Sequence, residues 1–221
     1  MQSLRYTKSL LYKEIEKIRQ YIDIRDTDYP LNMVAIAESG GLSVDTHDFK
    51  TRGLKGILAI DGNEGHIILD AKESRFEQNF FCGHESIHFL LHRDVGQTSF
   101  QCYDQVKPKQ NRFLEWHANE GAAELLVPYH LFIPRLLQIY NPVLGCGDYE
   151  VAVDTLSSEY GVSDMVIRNR TENLKYEIYQ VAKGTPISDI LILSKTQQER
   201  QGITIPSCRD IWYAKCFSEM A

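Results

Sequence analysis

The chain has 221 residues, 43% of them apolar and 24% charged, with a formal net charge of −6. That length buries a substantial core, as one domain or as one domain with a small appendage. The acidic balance supplies no global basic field toward nucleic acid or anionic lipid, and no run approaches the roughly 18–20 apolar residues of a membrane span.

The opening "MQSLRYTKSLLYKEIEKIRQ" carries charges through every apolar run, so it is not a secretory signal. Residues 8–22 place Leu11, Ile15, Ile18 and Ile22 at helical spacing, which predicts an amphipathic helix. "LNMVAIAES" predicts a short helix ended by Gly40–Gly41, and "LSVDTHDF" a strand. "LKGILAI" and "GHIILDA" form a hairpin about Asp61–Gly62, and the second of these strands offers a backbone edge to an extended peptide. Ser74 and Glu77 make a capping box, so a helix begins near Arg75 and runs to His92. Residues 94–110 read as a loop closed by Pro108, and a second strong helix covers 112–127, stopping before Pro128. Helices follow at 130–140 and 149–160. "VDTLSSEYGVSDMVIRNRTENL" reads as helix, turn at Gly161, helix, and the tail from Pro186 gives no clear element.

Cys82, Cys102, Cys146, Cys208 and Cys216 are odd in number and form no C-x-x-C pair. That usage predicts a reduced, cytoplasmic protein whose cysteines act as small buried hydrophobes rather than zinc ligands.

The chemistry concentrates in "CGHESIHFLLH", residues 82–92. His84 and His88, four apart on a helix, lie about 40° apart around its axis and one turn along it, so their imidazoles can converge on one metal ion. Glu85, next to the first ligand, is placed to reach a metal-bound water as general base, the H-E-x-x-H arrangement. His92 lies a further turn on, about 6 Å from His88 by helix rise, and is read as a supporting residue rather than a ligand.

The third ligand must come from elsewhere, and Glu115 in "LEWHANEGAAELLVP" is the strongest candidate. Antiparallel packing of the two helices would bring its carboxylate to the metal. Asn119, one turn on, can hydrogen-bond a ligand histidine and fix its tautomer. Glu120 and Glu124 compete but point about 140° and 180° away from Glu115 on the helical wheel, as for a solvated face or a structural ion pair. His117 is a weaker ligand candidate and could instead serve the substrate. Tyr103, His117 and His130 are the candidates for an oxyanion donor. Two histidines, a carboxylate and an open position suit one catalytic zinc, with Glu85 taking the proton of the bound water and passing it to the leaving amine.

These motifs resemble the ImmA/IrrE metallopeptidases, which are gluzincin-like zinc peptidases. That family pairs H-E-x-x-H with a downstream segment that "EWHANEGAAELLVP" matches at Glu115, Ala118, Asn119, Ala122, Ala123, Glu124, Leu125, Leu126 and Pro128. The resemblance runs from about Tyr29 to Tyr179 and leaves out the tail. It implies His84, His88 and Glu115 as zinc ligands and Glu85 as catalytic base. This chain departs from the family pattern in having Ile87 for the usual glycine, Gly121 for phenylalanine and Val127 for methionine. The Gly121 departure would enlarge a pocket or loosen the helix.

The expected fold is α+β. It comprises a mostly helical zincin-like core (1–145) with a small antiparallel sheet preceding the H-E-x-x-H helix, a helix-turn-helix-like helical subdomain (146–183) and a C-terminal extension (184–221). The resemblance further implies a site-specific endopeptidase that cleaves a helix-turn-helix transcriptional repressor, derepressing stress or mobile-element genes. The competing readings are a zinc-containing regulator that binds a repressor without cleaving it, and a DNA-binding regulator. Against the last, residues 150–183 carry six acids (Glu150, Asp154, Glu159, Asp164, Glu172, Glu177) to the four bases Arg168, Arg170, Lys175 and Lys183, where a DNA-reading module should be more basic. Direct nucleic-acid and membrane partners are accordingly not expected.

Overall fold

The computed structural model describes residues 6–219; the outermost residues of the predicted N-terminal segment and C-terminal extension, 1–5 and 220–221, lie outside them. The elements in chain order are α1 (Lys8–Tyr21), α2 (Met33–Ser39), β1 (Leu42–His47), β2 (Leu54–Asp61), β3 (Glu64–Asp70), α3 (Arg75–His92), a 3-10 turn (Arg93–Val95), β4 (Ser99–Tyr103), α4 (Arg112–Leu126) and α5 (Tyr129–Ile139). They continue with β5 (Tyr140–Asn141), β6 (Cys146–Gly147), α6 (Tyr149–Tyr160), α7 (Asp164–Asn173), α8 (Lys175–Ala182), α9 (Lys195–Arg200) and α10 (Cys208–Glu219). The chain divides into two compact units, one holding Leu11–Leu126 and the other Tyr6–Leu10 with the residues from Val127 onward.

In the first unit the sheet order is β1-β3-β2-β4. Alternation puts Leu54, Gly56 and Leu58 of β2 and Gly65, Ile67 and Leu69 of β3 on the buried face, where α3 covers them. The β2–β3 hairpin turns at Gly62, whose φ of 60° is one that glycine adopts without steric cost. The sheet is mixed, not antiparallel as expected, because β1 pairs with β3 in parallel. The short link 48–53 returns the chain antiparallel to β1 but one strand away, and β3 fills the gap. β3 is therefore interior, paired on both sides, and cannot accept an added strand. The edge next to α3 is β4, a strand within residues expected to be loop.

α3 begins as its sequence dictates. Ser74 Oγ accepts the Glu77 amide at 3.3 Å, and the Glu77 carboxylate accepts the Ser74 amide at 3.4 Å. α3 and α4 pack antiparallel: the His92 ring lies 5.5 Å from that of His117, while Gly83 faces Ala122 and Leu126. Glu120 and Glu124 are buried, which corrects the solvated-face alternative; Glu120 accepts the Tyr12 hydroxyl proton. Tyr12 of α1 lies against Glu120 and takes part in its burial.

Gly121 opens no pocket. A Cβ there would stand 3.2 Å from Ile87 Cγ2 and 3.2 Å from Ile15 Cδ1, so the two departures from the family pattern compensate: Ile87 fills the space Gly121 vacates. Gly121→Phe alone should cost about 1–3 kcal/mol by overpacking. Adding Ile87→Gly should recover part of that loss, leaving a coupling of about 0.5–3 kcal/mol in denaturant unfolding. Strict additivity would show that the two positions do not share this space.

The second unit packs Phe132, Ile133, Leu136, Tyr149, Leu156 and Ile167 into its own core. Gly161, at φ 64°, caps α6 and turns the chain into α7. The tail contributes α9 and α10, tied in by the Tyr140 hydroxyl donating to the Cys208 carbonyl at 2.8 Å. A cavity of about 300 Å³ lies here, lined by Tyr149, Met165, Arg168 and Arg209 among others, and by none of the metal-site residues predicted from sequence. Among the described residues, no helix is long and apolar enough to cross a membrane.

Candidate metal centre

α3 carries His84 and His88 one turn apart on its face toward α4, and α4 presents Glu115 from its first turn. The nitrogens His84 Nε2 and His88 Nε2 are 3.2 Å apart, and the Glu115 oxygens stand 3.5 Å from the first and 3.7 Å from the second. Zinc bonds of about 2.0–2.1 Å in a tetrahedron separate donor atoms by about 3.3–3.4 Å. Three N/N/O donors at this spacing therefore fit one zinc ion without rearranging the helices.

The surroundings prepare these donors. His84 Nδ1 donates to Asn119 Oδ1 at 3.1 Å, which fixes the tautomer that leaves Nε2 free as a ligand atom. His88 Nδ1 pairs with His92 Nδ1 at 2.9 Å, so His92 meets the ligand histidine from behind, and Phe100 of β4 stacks on the His88 ring at 4.3 Å. Asn119→Ala should weaken metal binding about 10–100-fold, measured by competition with a chromophoric chelator. Unchanged affinity would remove its orienting role.

Electrostatics follow from burial. Burial lowers the His88 pKa to about 4, with the His84 charge adding to the effect, and lowers that of His92 to about 3. Both rings are thus neutral at pH 7, as a ligand and its partner should be. Burial opposes ionisation of Glu115 too, but hydrogen bonding to His84 and His88 prevails and holds its pKa at about 2. At His84, burial disfavours the charge, yet Cys102, Glu115 and Glu85 outweigh it and raise the pKa.

Glu85 differs from the other acids. It is fully buried, neither carboxylate oxygen has a hydrogen-bond partner, and desolvation raises its pKa to about 7. The backbone N–H of Cys102 lies near enough to temper that shift without completing a hydrogen bond. Room for the carboxylate comes from Gly56 on β2, where a Cβ would sit 3.0 Å from Glu85 Oε1.

Sequence reasoning missed both Gly56 and Cys102. The Cys102 sulfur lies in a group with one donor atom each of His84 and Glu85, all within 4.8 Å of one another. The alternation of "SFQCY", with Phe100 and Cys102 buried, was the available signal. Cys82 and Cys208 are buried as expected, whereas Cys146 is exposed, and all five cysteines are free. Of the other candidates, His117 is buried beside His92, Tyr103 donates to Gln101 Oε1 at 3.0 Å, and His130 is half-buried on α5.

An α+β chain with H-E-x-x-H on one helix and a carboxylate supplied by the next is of the metallopeptidase type. A family model described as the IrrE N-terminal-like domain (Peptidase_M78) matches residues 37–172, and the chain belongs to this ImmA/IrrE family. Its fold is similar to that of a Mycobacterium tuberculosis transcriptional regulator, with a TM-score of 0.51 and 15% identity over 75% of this chain and 47% of that one. The chain thus spans about half the length of that protein. Comparison with curated proteins gave no match.

Proposed function

We propose that this chain is a zinc-dependent, site-specific endopeptidase of the gluzincin-like, zincin-fold kind, with His84, His88 and Glu115 as ligands of one zinc ion and Glu85 as general base. The observation that carries this reading is the Glu85 carboxylate, buried and without a partner beside a donor triad of tetrahedral spacing. A purely structural site has no use for such a group, and an unpartnered buried carboxylate costs stability.

Zinc held by the triad would supply Lewis-acid activation of a water and of the scissile carbonyl. Glu85 accepts the proton of the attacking water and returns it to the leaving amine. Asn119 and His92 keep the two imidazoles oriented while charge develops. An extended peptide adds to β4, the sheet edge nearest α3, in the backbone-pairing mode expected earlier of β3.

The substrate we infer is a helix-turn-helix transcriptional repressor, so that cleavage would derepress stress or mobile-element genes in the cytoplasm. Support comes from the family membership, and the solved relative is itself called a transcriptional regulator. The division proposed is a catalytic core over 1–145, a helix-turn-helix-like helical subdomain over 146–183 and an extension over 184–221. The reading as a DNA-binding regulator draws no support from the two arginines of that subdomain. Arg168 pairs with Glu150, and Arg170, 1% exposed, donates from Nε to the Val127 carbonyl at 2.9 Å. Both arginines are committed within the fold.

The pH profile tests the base. An acid with a raised pKa is protonated, and so inactive as a base, as pH falls through that pKa. The value near 7 applies without a cation, and a cation on the triad moves it down. Activity should therefore fall about tenfold per unit on an acid limb below pH 7, a limb absent from the residual activity of Glu85→Gln. An acid limb that persists unchanged in Glu85→Gln would rule out Glu85 as the titrating base.

A further inference from the structure

Cys102 takes no part in the proposed hydrolysis, yet its sulfur lies inside the centre. It is 3% exposed and faces its cross-strand neighbour Gly56, the residue whose missing side chain admits Glu85. Its sulfur, a Glu85 carboxylate oxygen and a His84 nitrogen lie within 4.8 Å of one another. Because His84 Nδ1 is engaged by Asn119, the nitrogen available to this group is Nε2, the one shared with His88 and Glu115.

We propose that His84, Glu85 and Cys102 form a second metal site, overlapping the first and exclusive of it, that takes a thiophilic divalent cation such as Zn²⁺. This rests on the metal-centre reading above. Two independent features point to a ligand there: a thiol in reach of an imidazole and a carboxylate, and the Glu85 oxygens, fully buried without hydrogen-bond partners. Nitrogen, oxygen and sulfur donors together select zinc and softer ions over magnesium or calcium. The thiol proton leaves to solvent as the sulfur–metal bond forms, and no electron is transferred.

The consequence is inhibitory. A cation in the second site takes Nε2 of His84 from the first site and occupies the carboxylate that must accept the water's proton. Hydrolysis should therefore decline in excess zinc, and Cys102→Ser should lift that inhibition.

Cobalt(II) titration of the reduced full-length chain provides a readout independent of activity. In Glu115→Gln, which weakens the first site alone, one bound equivalent of cobalt should show a near-ultraviolet sulfur-to-cobalt charge-transfer band. The band should vanish when Cys102→Ser is added, with circular dichroism confirming that the chain remains folded. Cobalt bound to Glu115→Gln without a sulfur band would overturn the second site and leave the first standing. So would failure of Glu115→Gln to bind while the unmodified chain binds, or a band that survives Cys102→Ser. If the unmodified chain binds no cobalt, both sites fall together.

Discussion

Replacing Glu85 by glutamine should lower peptide-bond hydrolysis by about a hundred- to ten-thousandfold while the chain keeps its zinc. The substitution preserves shape and removes what the mechanism requires of this side chain, a carboxylate able to accept a proton. Metal retention follows because the triad is His84, His88 and Glu115, whose donor atoms are separate from Glu85. Stability should not fall, since the native carboxylate is buried without partners and its pKa is raised to about 7. A group with a raised folded-state pKa contributes stability at low pH and loses it as pH rises through that value. The metal-free native chain therefore carries a penalty from Glu85 near neutrality that glutamine relieves. Parallel measurement of zinc content, thermal midpoint and turnover checks the three statements together, and turnover within tenfold of the native rate would remove Glu85 from the chemistry.

His84→Ala should abolish metal binding altogether, an effect larger than the loss of any other single donor. His84 belongs to both donor groups, the one with His88 and Glu115 and the one with Glu85 and Cys102. Its removal also leaves a hole beside the fully buried Glu85 and His88. Zinc content after dialysis should fall to background, and hydrolysis with it. Stoichiometric zinc in folded His84→Ala would place the metal elsewhere.

The parts of this architecture legible in the sequence are those set by local rules. The start of α3 was readable because Ser74 and Glu77 satisfy each other's backbone within one turn. The placement of His84, Glu85 and His88 on one helix was readable because helical geometry alone sets their spacing, and that of Glu115 because it belongs to a second motif with a family likeness. The less legible features depend on partners distant in the chain. The parallel pairing of β1 with β3 is decided by which strand fills a gap, and no residue in β1 announces it. β4 spans five residues, Ser99–Tyr103, too few for its alternation to outweigh the surrounding Gly, Asp and Pro.

Missing β4 also hid the role of Cys102, which became visible only once the strand lay against β2 with Gly56 opposite. The Gly121 departure was misread for the same reason. Its meaning lies in Ile87 and Ile15, residues on two other helices.

The core of the proposed function is that a zinc ion on His84, His88 and Glu115 cuts a protein substrate. It is tested most directly by incubating the zinc-loaded chain with a helix-turn-helix repressor encoded beside its gene and weighing the products by intact mass spectrometry. Two fragments from a single peptide bond are expected, none after chelation, with their return when zinc is restored. A repressor that stays intact with the zinc-loaded chain, or that is cut equally after the metal is removed, would contradict the proposed function.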